Sequence, residues 1–183
     1  MTVRIRAGVP QLRGRAPMRT IIAVFQDARG RFGLRVVQFA VLRDHLHLLV
    51  EAEGGDSLTR GMRGLNTRLA IHLNRAFERT GRLLDDRFHA RALCNPLAVR
   101  RGLCYVLQNF RKHEASSGRK LAMRSLDPCS SGTAFDGWRH APALPARTTD
   151  LGTLPARTWL LRAGWRRHGL IDIAEVPGGR GPP

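Results

Sequence analysis

The sequence predicts an α+β fold, an antiparallel sheet with helices packed on one face. Three observations carry the prediction. Two β-rich runs, 34–42 and 45–51, are separated only by Arg43-Asp44, a spacing suited to a hairpin. Three stretches, 18–28, 57–79 and 96–113, repeat apolar residues at the helical period. The order along the chain is strand, helix, strand, strand, helix, arm, helix, which is the order of a ferredoxin-like sandwich.

Each element has its local reason. Thr2–Arg6 alternates and reads as a short strand, and residues 8–17 read as a loop. Ile21, Ile22 and Phe25 give the first helix an apolar stripe, and Gly30 stops it. Val36, Val37, Phe39 and Val41 fill the first hairpin strand, and His45–Glu51 is its partner. Gly54-Gly55-Asp56 breaks the sheet, and Ser57 is the expected N-cap of the second helix. That helix carries Leu58, Met62, Leu65, Leu69 and Leu73 on one stripe and runs to Arg79, with Gly81 just past its end. Residues 82–92 read as a hairpin or an extended arm, and Asn95-Pro96 starts a helix that reaches His113.

The pattern divides the chain into a folded domain over 1–115, a Pro/Gly/Ser-rich linker over 116–157 and a C-terminal extension over 158–183. The linker holds an internal echo, Leu144-Pro145-Ala146-Arg147-Thr148 recurring as Leu154-Pro155-Ala156-Arg157-Thr158, and no packed core is expected of it. The extension is largely irregular apart from a short docking helix over 158–167, and residues 178–183 read as a frayed end.

Composition narrows the partners. A net charge of +17 points to a polyanion. Only Lys112 and Lys120 among the 31 basic residues are lysine, and Ala, Gly, Pro and Leu are heavily used, so a GC-rich coding bias contributes part of the arginine. Arginine forks still match phosphate oxygens, which makes nucleic acid the expected partner. A basic membrane-surface protein fits less well, because no long amphipathic helix dominates. Cys94, Cys104 and Cys129 lack metal-ligand spacing and suit free thiols in a reducing cytoplasm. Neither a signal sequence nor a span of transmembrane length is expected.

The chemistry-bearing residues fall in two elements. Side chains alternate across a strand, so His45, His47, Leu49 and Glu51 share one face while Leu46, Leu48 and Val50 face the helices. Two imidazoles on one pleat face can share a divalent metal ion; a structural, hydrogen-bonded pair is the plainer reading. In the last helix Val99, Leu103, Val106, Leu107 and Phe110 form the apolar stripe, and Tyr105, the chain's single tyrosine, lies on the opposite side. Asn109 follows one turn later, where its oxygen is placed either to join the imidazoles or to face solvent as a surface amide. A free phenol has a pKa of about 10 and is only about 0.1% ionised at neutral pH, so a nucleophilic tyrosine needs help from its site.

Further basic groups surround this set. In an extended arm Arg87, His89 and Arg91 share a face, for phosphate contact or as a charged sheet edge. Arg111 and Lys112 follow the tyrosine and are candidates to neutralise a bound strand. Arg60, Arg63 and Arg68 read first as a solvated face, and His72 and His113 as surface residues. Trp159 and Trp165 read as docking residues, with base stacking as the alternative.

Together, the strand His45-Leu46-His47-Leu48-Leu49-Val50-Glu51, the arm Asp86-Arg87-Phe88-His89-Ala90-Arg91 and the helix Tyr105-Val106-Leu107-Gln108-Asn109 resemble the single-tyrosine HUH transposases, and more closely their REP-associated tyrosine transposase branch. The resemblance spans residues 2–113. It implies a ferredoxin-like fold, Mg²⁺ or Mn²⁺, single-stranded DNA hairpins as substrate, a 5′-phosphotyrosine intermediate, and action as a monomer or a homodimer. It assigns metal binding to His45 and His47, nucleophilic attack to Tyr105 and a third metal ligand to Asn109, where many relatives have glutamine. The family usually has Pro-Asn before the first histidine; here Arg43-Asp44 stands there, and Asp44 brings an acidic group near the pair. Phe88 stands where an arm tyrosine is common, and Gly102 lies inside the tyrosine helix, at a cost of about 1 kcal/mol relative to alanine. The stretch 156–172 resembles the C-terminal extension of one subgroup. Two other readings stay open: a domesticated DNA-binding protein on the same fold with little or no cleavage, and an RNA-binding module whose histidines are structural.

Overall fold

The computed structural model describes residues 1–85, 89–116, 125–140 and 150–178. β1 (Thr2–Arg4), α1 (Arg15–Asp27), β2 (Leu34–Val41), β3 (His45–Ala52), α2 (Gly55–Ala76) and α3 (Pro96–Ser116) appear in the predicted order. β3 is the central strand, antiparallel to both neighbours, in a β1-β3-β2 sheet. Leu84 and His89 of the arm bridge the outer edge of β1 at Ile5↔Leu84 and Thr2↔His89, the position of a fourth strand in the ferredoxin-like order. The α+β fold expected from the pattern is the fold found, but the helices divide between the two faces of the sheet and do not share one face.

α1 and α2 lie on one face. Ile21, Val24 and Phe25 from α1 and Met62, Leu65, Leu69 and Leu73 from α2 bury against Val3, Phe39, Leu46 and Leu48. α3 lies on the opposite face, where Val99, Leu103, Val106 and Leu107 pack with Ala40 and Leu49. The period of two in β3 decides this division, since neighbouring residues must serve different cores. In β2 the register shifts between Val36 and Gln38, a bulge that absorbs the extra residue in the run Val36-Val37-Gln38.

Some boundaries differ from the periodicity. α1 begins at Arg15, because Pro17 is tolerated in a first turn that needs no N–H there. α2 begins two residues before Ser57, with Gly54 as its cap and Asp56 in its first turn. It ends at Ala76, as Glu78 takes a left-handed φ of 51° and Asn74 Nδ2 donates to the Gly81 carbonyl at 2.7 Å. α3 starts as predicted, with Ala98 N donating to the Asn95 side chain at 2.8 Å. Gly102 has a packing reason: a β-carbon there would lie 2.7 Å from Leu93 Cδ1.

The described parts of 116–157 pack, contrary to the expectation of a segment without a core. Val41 N donates to Cys129 O at 2.8 Å, Phe39 N to Ser131 Oγ at 2.8 Å, and Leu154 N to Val36 O at 2.9 Å, so this segment runs along the outer edge of β2. Arg13 grips the buried Asp127 carboxylate with two bonds of 2.6 and 2.9 Å. Phe135 and Trp138 join Trp165, Ile171 and Ile173 in extending the core under α3. A few widely spaced aromatics suffice for this, and local composition does not reveal them. The docking helix is α4 (Trp159–Arg162), shorter than expected; it passes through Ala163 into a 3₁₀ turn over Gly164–His168. Arg100 clasps Glu175 at 2.7 and 2.9 Å and fastens the end of the extension to α3. Residues 86–88, with Arg87, and the echo at 144–148 lie outside the described residues. Among the described residues no helix is long and apolar enough to cross a membrane.

Candidate active site

β3 presents His45 and His47 on the α3 face, as the alternation requires. Both are buried, at 8% and 3% exposure, and their Nε2 atoms are 3.1 Å apart. Each ring is held from behind. His45 Nδ1 lies 2.7 Å from Asp44 Oδ1, and His47 Nδ1 lies 3.1 Å from Thr2 Oγ1. An ionised carboxylate only accepts, so the proton of this contact sits on His45 Nδ1, and Nε2 is turned toward His47. Partial burial alone would raise the Asp44 pKa, but the hydrogen bond from His45 and the charges of His45 and Arg4 outweigh it and hold the carboxyl below its ordinary value.

α3 crosses this face and sets Tyr105 against the pair. The Tyr105 and His47 rings meet edge-on, centroids 4.9 Å apart. Tyr105 is 41% exposed, so its ring is shared between the histidine and solvent, unlike the buried stripe behind it. Histidines and tyrosine thus meet within a single chain. Asn109 follows on the same helix and is buried. Its neighbour Gln108 instead turns away and donates to the Asp172 carbonyl at 3.2 Å in the extension.

The remaining candidates separate. His89 sits directly across from Thr2, exchanging bonds of 3.0 and 3.2 Å, and Thr2 in turn pairs with His47. Opposite residues on neighbouring strands share a face, so exposed His89 stands two strands from His47, about 10 Å away. Arg91 and Lys112 are exposed. Arg111 is buried at 7% exposure and its guanidinium donates to Ser125 O at 2.8 Å, so it braces the segment that follows α3 and does not share the open face with Lys112. Arg87 lies outside the described residues. The supporting role of Thr2 was not visible in the sequence, because the β1–β3 register sets it and no local pattern marks that register.

The donor set fits a divalent ion. Adjacent vertices of an octahedron with bonds of about 2.1 Å lie about 3 Å apart, which is the spacing of the two Nε2 atoms. Among the described residues no group of three or more His, Cys, Asp or Glu completes a cage. A two-imidazole set leaves coordination positions for water and phosphate oxygens, the arrangement of an open catalytic site.

Residues 11–94 match the family model described as Transposase IS200 like. The match covers just under half of the chain, includes His45 and His47, and stops before Tyr105. No curated protein and no solved structure matches the chain.

Proposed function

We propose that this protein is a transposase of the single-tyrosine HUH type, nearest the REP-associated branch, that cuts and rejoins hairpin-forming single-stranded DNA. The observation that carries the reading is Tyr105 set 4.9 Å from His47, beside two Nε2 atoms 3.1 Å apart. The similarity of residues 11–94 to IS200-like transposases supports the same class of chemistry.

His45 and His47 would hold Mg²⁺ or Mn²⁺, with Asn109 as the third protein ligand, and the ion would supply charge stabilisation to the scissile phosphate. Asp44 keeps His45 in the ligating tautomer, and Thr2 orients the His47 ring. Tyr105 Oη attacks phosphorus as its proton passes to water; the Oη–P bond forms, the bond to the 3′-oxygen breaks, and that oxygen takes up a proton from water. The phosphotyrosine ester conserves the bond, so a second 3′-hydroxyl restores the phosphodiester and frees the phenol without ATP. His89, Arg91 and Lys112 are exposed, and they contact the strand's phosphates.

The test is covalent trapping. Purified protein is incubated with 3′-end-labelled single-stranded hairpins from the flanks of its own gene, with Mg²⁺ or Mn²⁺, and resolved on denaturing gels. The expected result is a metal-dependent labelled adduct that disappears in Tyr105→Phe and in the double variant His45→Ala/His47→Ala. An adduct that persists in Tyr105→Phe, or its absence with every metal and flank, overturns the reading.

A further inference from the structure

The extension carries a surface that the tyrosine site does not use. From 151 to 171 the chain contains four arginines and no acidic residue. Of its two tryptophans, Trp165 is buried at 1% exposure, while Trp159 is 52% exposed. The Arg167 guanidinium lies over the Trp159 ring, 4.9 Å from its centroid. Gly164 lets the ring lie flat on the turn, since a β-carbon there would come within 2.6 Å of it. Arg157, Arg162 and Arg167 are exposed, with Arg162 one turn from Trp159 on α4. Among the described residues Arg166 pairs with the Asp136 carboxylate at 2.9 Å.

This surface is fixed to the catalytic strand. Glu51, on the same face of β3 as His45 and His47, accepts from Arg157 N at 2.7 Å and from Thr158 N at 2.9 Å and Thr158 Oγ1 at 2.6 Å. Glu51 lies four positions along the strand from His47, a run of about 14 Å. The start of α4 is therefore pinned to the strand that carries the metal-binding pair, a short way along it from Tyr105.

We propose that Trp159 with Arg157, Arg162 and Arg167 forms a second single-stranded DNA subsite, which holds the strand beyond the cut. An exposed aromatic face stacks an unpaired base of any identity, and the flanking guanidiniums neutralise the phosphates on either side. A duplex hides its base faces, so the surface selects single strands. This deepens the proposed function by naming where the substrate continues past the active site.

The test uses binding, not cleavage. In a Tyr105→Phe background, anisotropy of fluorescein-labelled oligo(dT), oligo(U) and a blunt duplex is measured across a salt series. Trp159→Ala is expected to weaken oligo(dT) binding about tenfold or more, with duplex binding changed less than twofold. Trp159→Phe keeps most of the affinity. Arg167→Ala lowers the logarithmic salt slope by about 0.7, one phosphate's worth. Unchanged thermal unfolding shows that each variant is folded. Oligo(dT) binding within twofold of the parent in Trp159→Ala overturns the proposal, as does equal loss on duplex or loss on oligo(U) alone. Loss of oligo(dT) binding in Trp159→Ala supports the subsite even where the wild-type protein forms no covalent adduct, so the two readings fail separately.

Discussion

Removing Asp44 tests how the histidine pair is tuned. Its carboxylate lies 2.7 Å from His45 Nδ1, and its other oxygen lies 3.2 Å from Arg4 Nη1. Groups behind a metal-binding histidine are worth 10–100-fold in metal affinity or activity. The Asp44 side chain is 55% exposed, so in Asp44→Ala a water molecule replaces much of the lost bond. The expected loss is therefore at the lower end, about tenfold in Mn²⁺ affinity, or about 1.4 kcal/mol. Asp44→Asn retains an accepting oxygen without the charge and falls between the two. Arg4→Ala serves as the control, because the Arg4–Asp44 pair is exposed on both sides and contributes little. Calorimetric Mn²⁺ titration of the four proteins reads these differences directly. Wild-type affinity in a folded Asp44→Ala protein would refute the view that Asp44 sets the ligating tautomer.

Three further outcomes follow from the packing. Gly61→Ala drives a β-carbon into Leu34 Cβ, and the overpacking, offset in part by better helix propensity, destabilises by about 1–2 kcal/mol, seen as a fall in Tm of several degrees in thermal unfolding. Burial, with the nearby Glu175 charge, pushes the Cys104 thiol up to about 12; Ellman's reagent at pH 8 should therefore label exposed Cys94 quickly and leave Cys104 unmodified until the protein unfolds. Burial would raise the Glu175 pKa, but the bond and charge of Arg100 outweigh it and hold it below its ordinary value. A depressed folded pKa stabilises above the unfolded value, and that contribution is lost as pH falls through the folded one. Tm should therefore drop more steeply below about pH 4.5 in the wild type than in Glu175→Gln.

The parts of the site that lie on a repeating pattern were legible in the sequence. Alternation in β3 separated His45 and His47 from Leu46 and Leu48, and the helical stripe of α3 set Tyr105 apart from Leu103 and Val106. These periods report burial, and burial dictated them. What stayed hidden depends on pairings between distant segments. Arg13 meets Asp127 across 114 residues, and Thr2 meets His47 across 45, and neither contact leaves a local trace. The core beneath α3 was missed for a related reason. Trp138, Trp165 and Ile171 sit among prolines and glycines, and only their assembly on α3 makes them a core. Arg111 illustrates the limit from the other side. Its place beside Lys112 suggested contact with a bound strand, and the fold turned it inward.

The cover over the β2 edge also bears on how the chain is made. Phe39 waits for Ser131, 92 residues further on, before its backbone N–H finds a partner. On the ribosome, β2 and β3 emerge long before the segment that shields them. During that interval an uncapped strand is open to pairing with the same strand on a neighbouring nascent chain. The segment after α3 thus ends a period of vulnerability in biosynthesis. A message cut short before codon 125 would yield a protein that keeps both histidines and Tyr105 yet collects in aggregates, with solubility lost before chemistry.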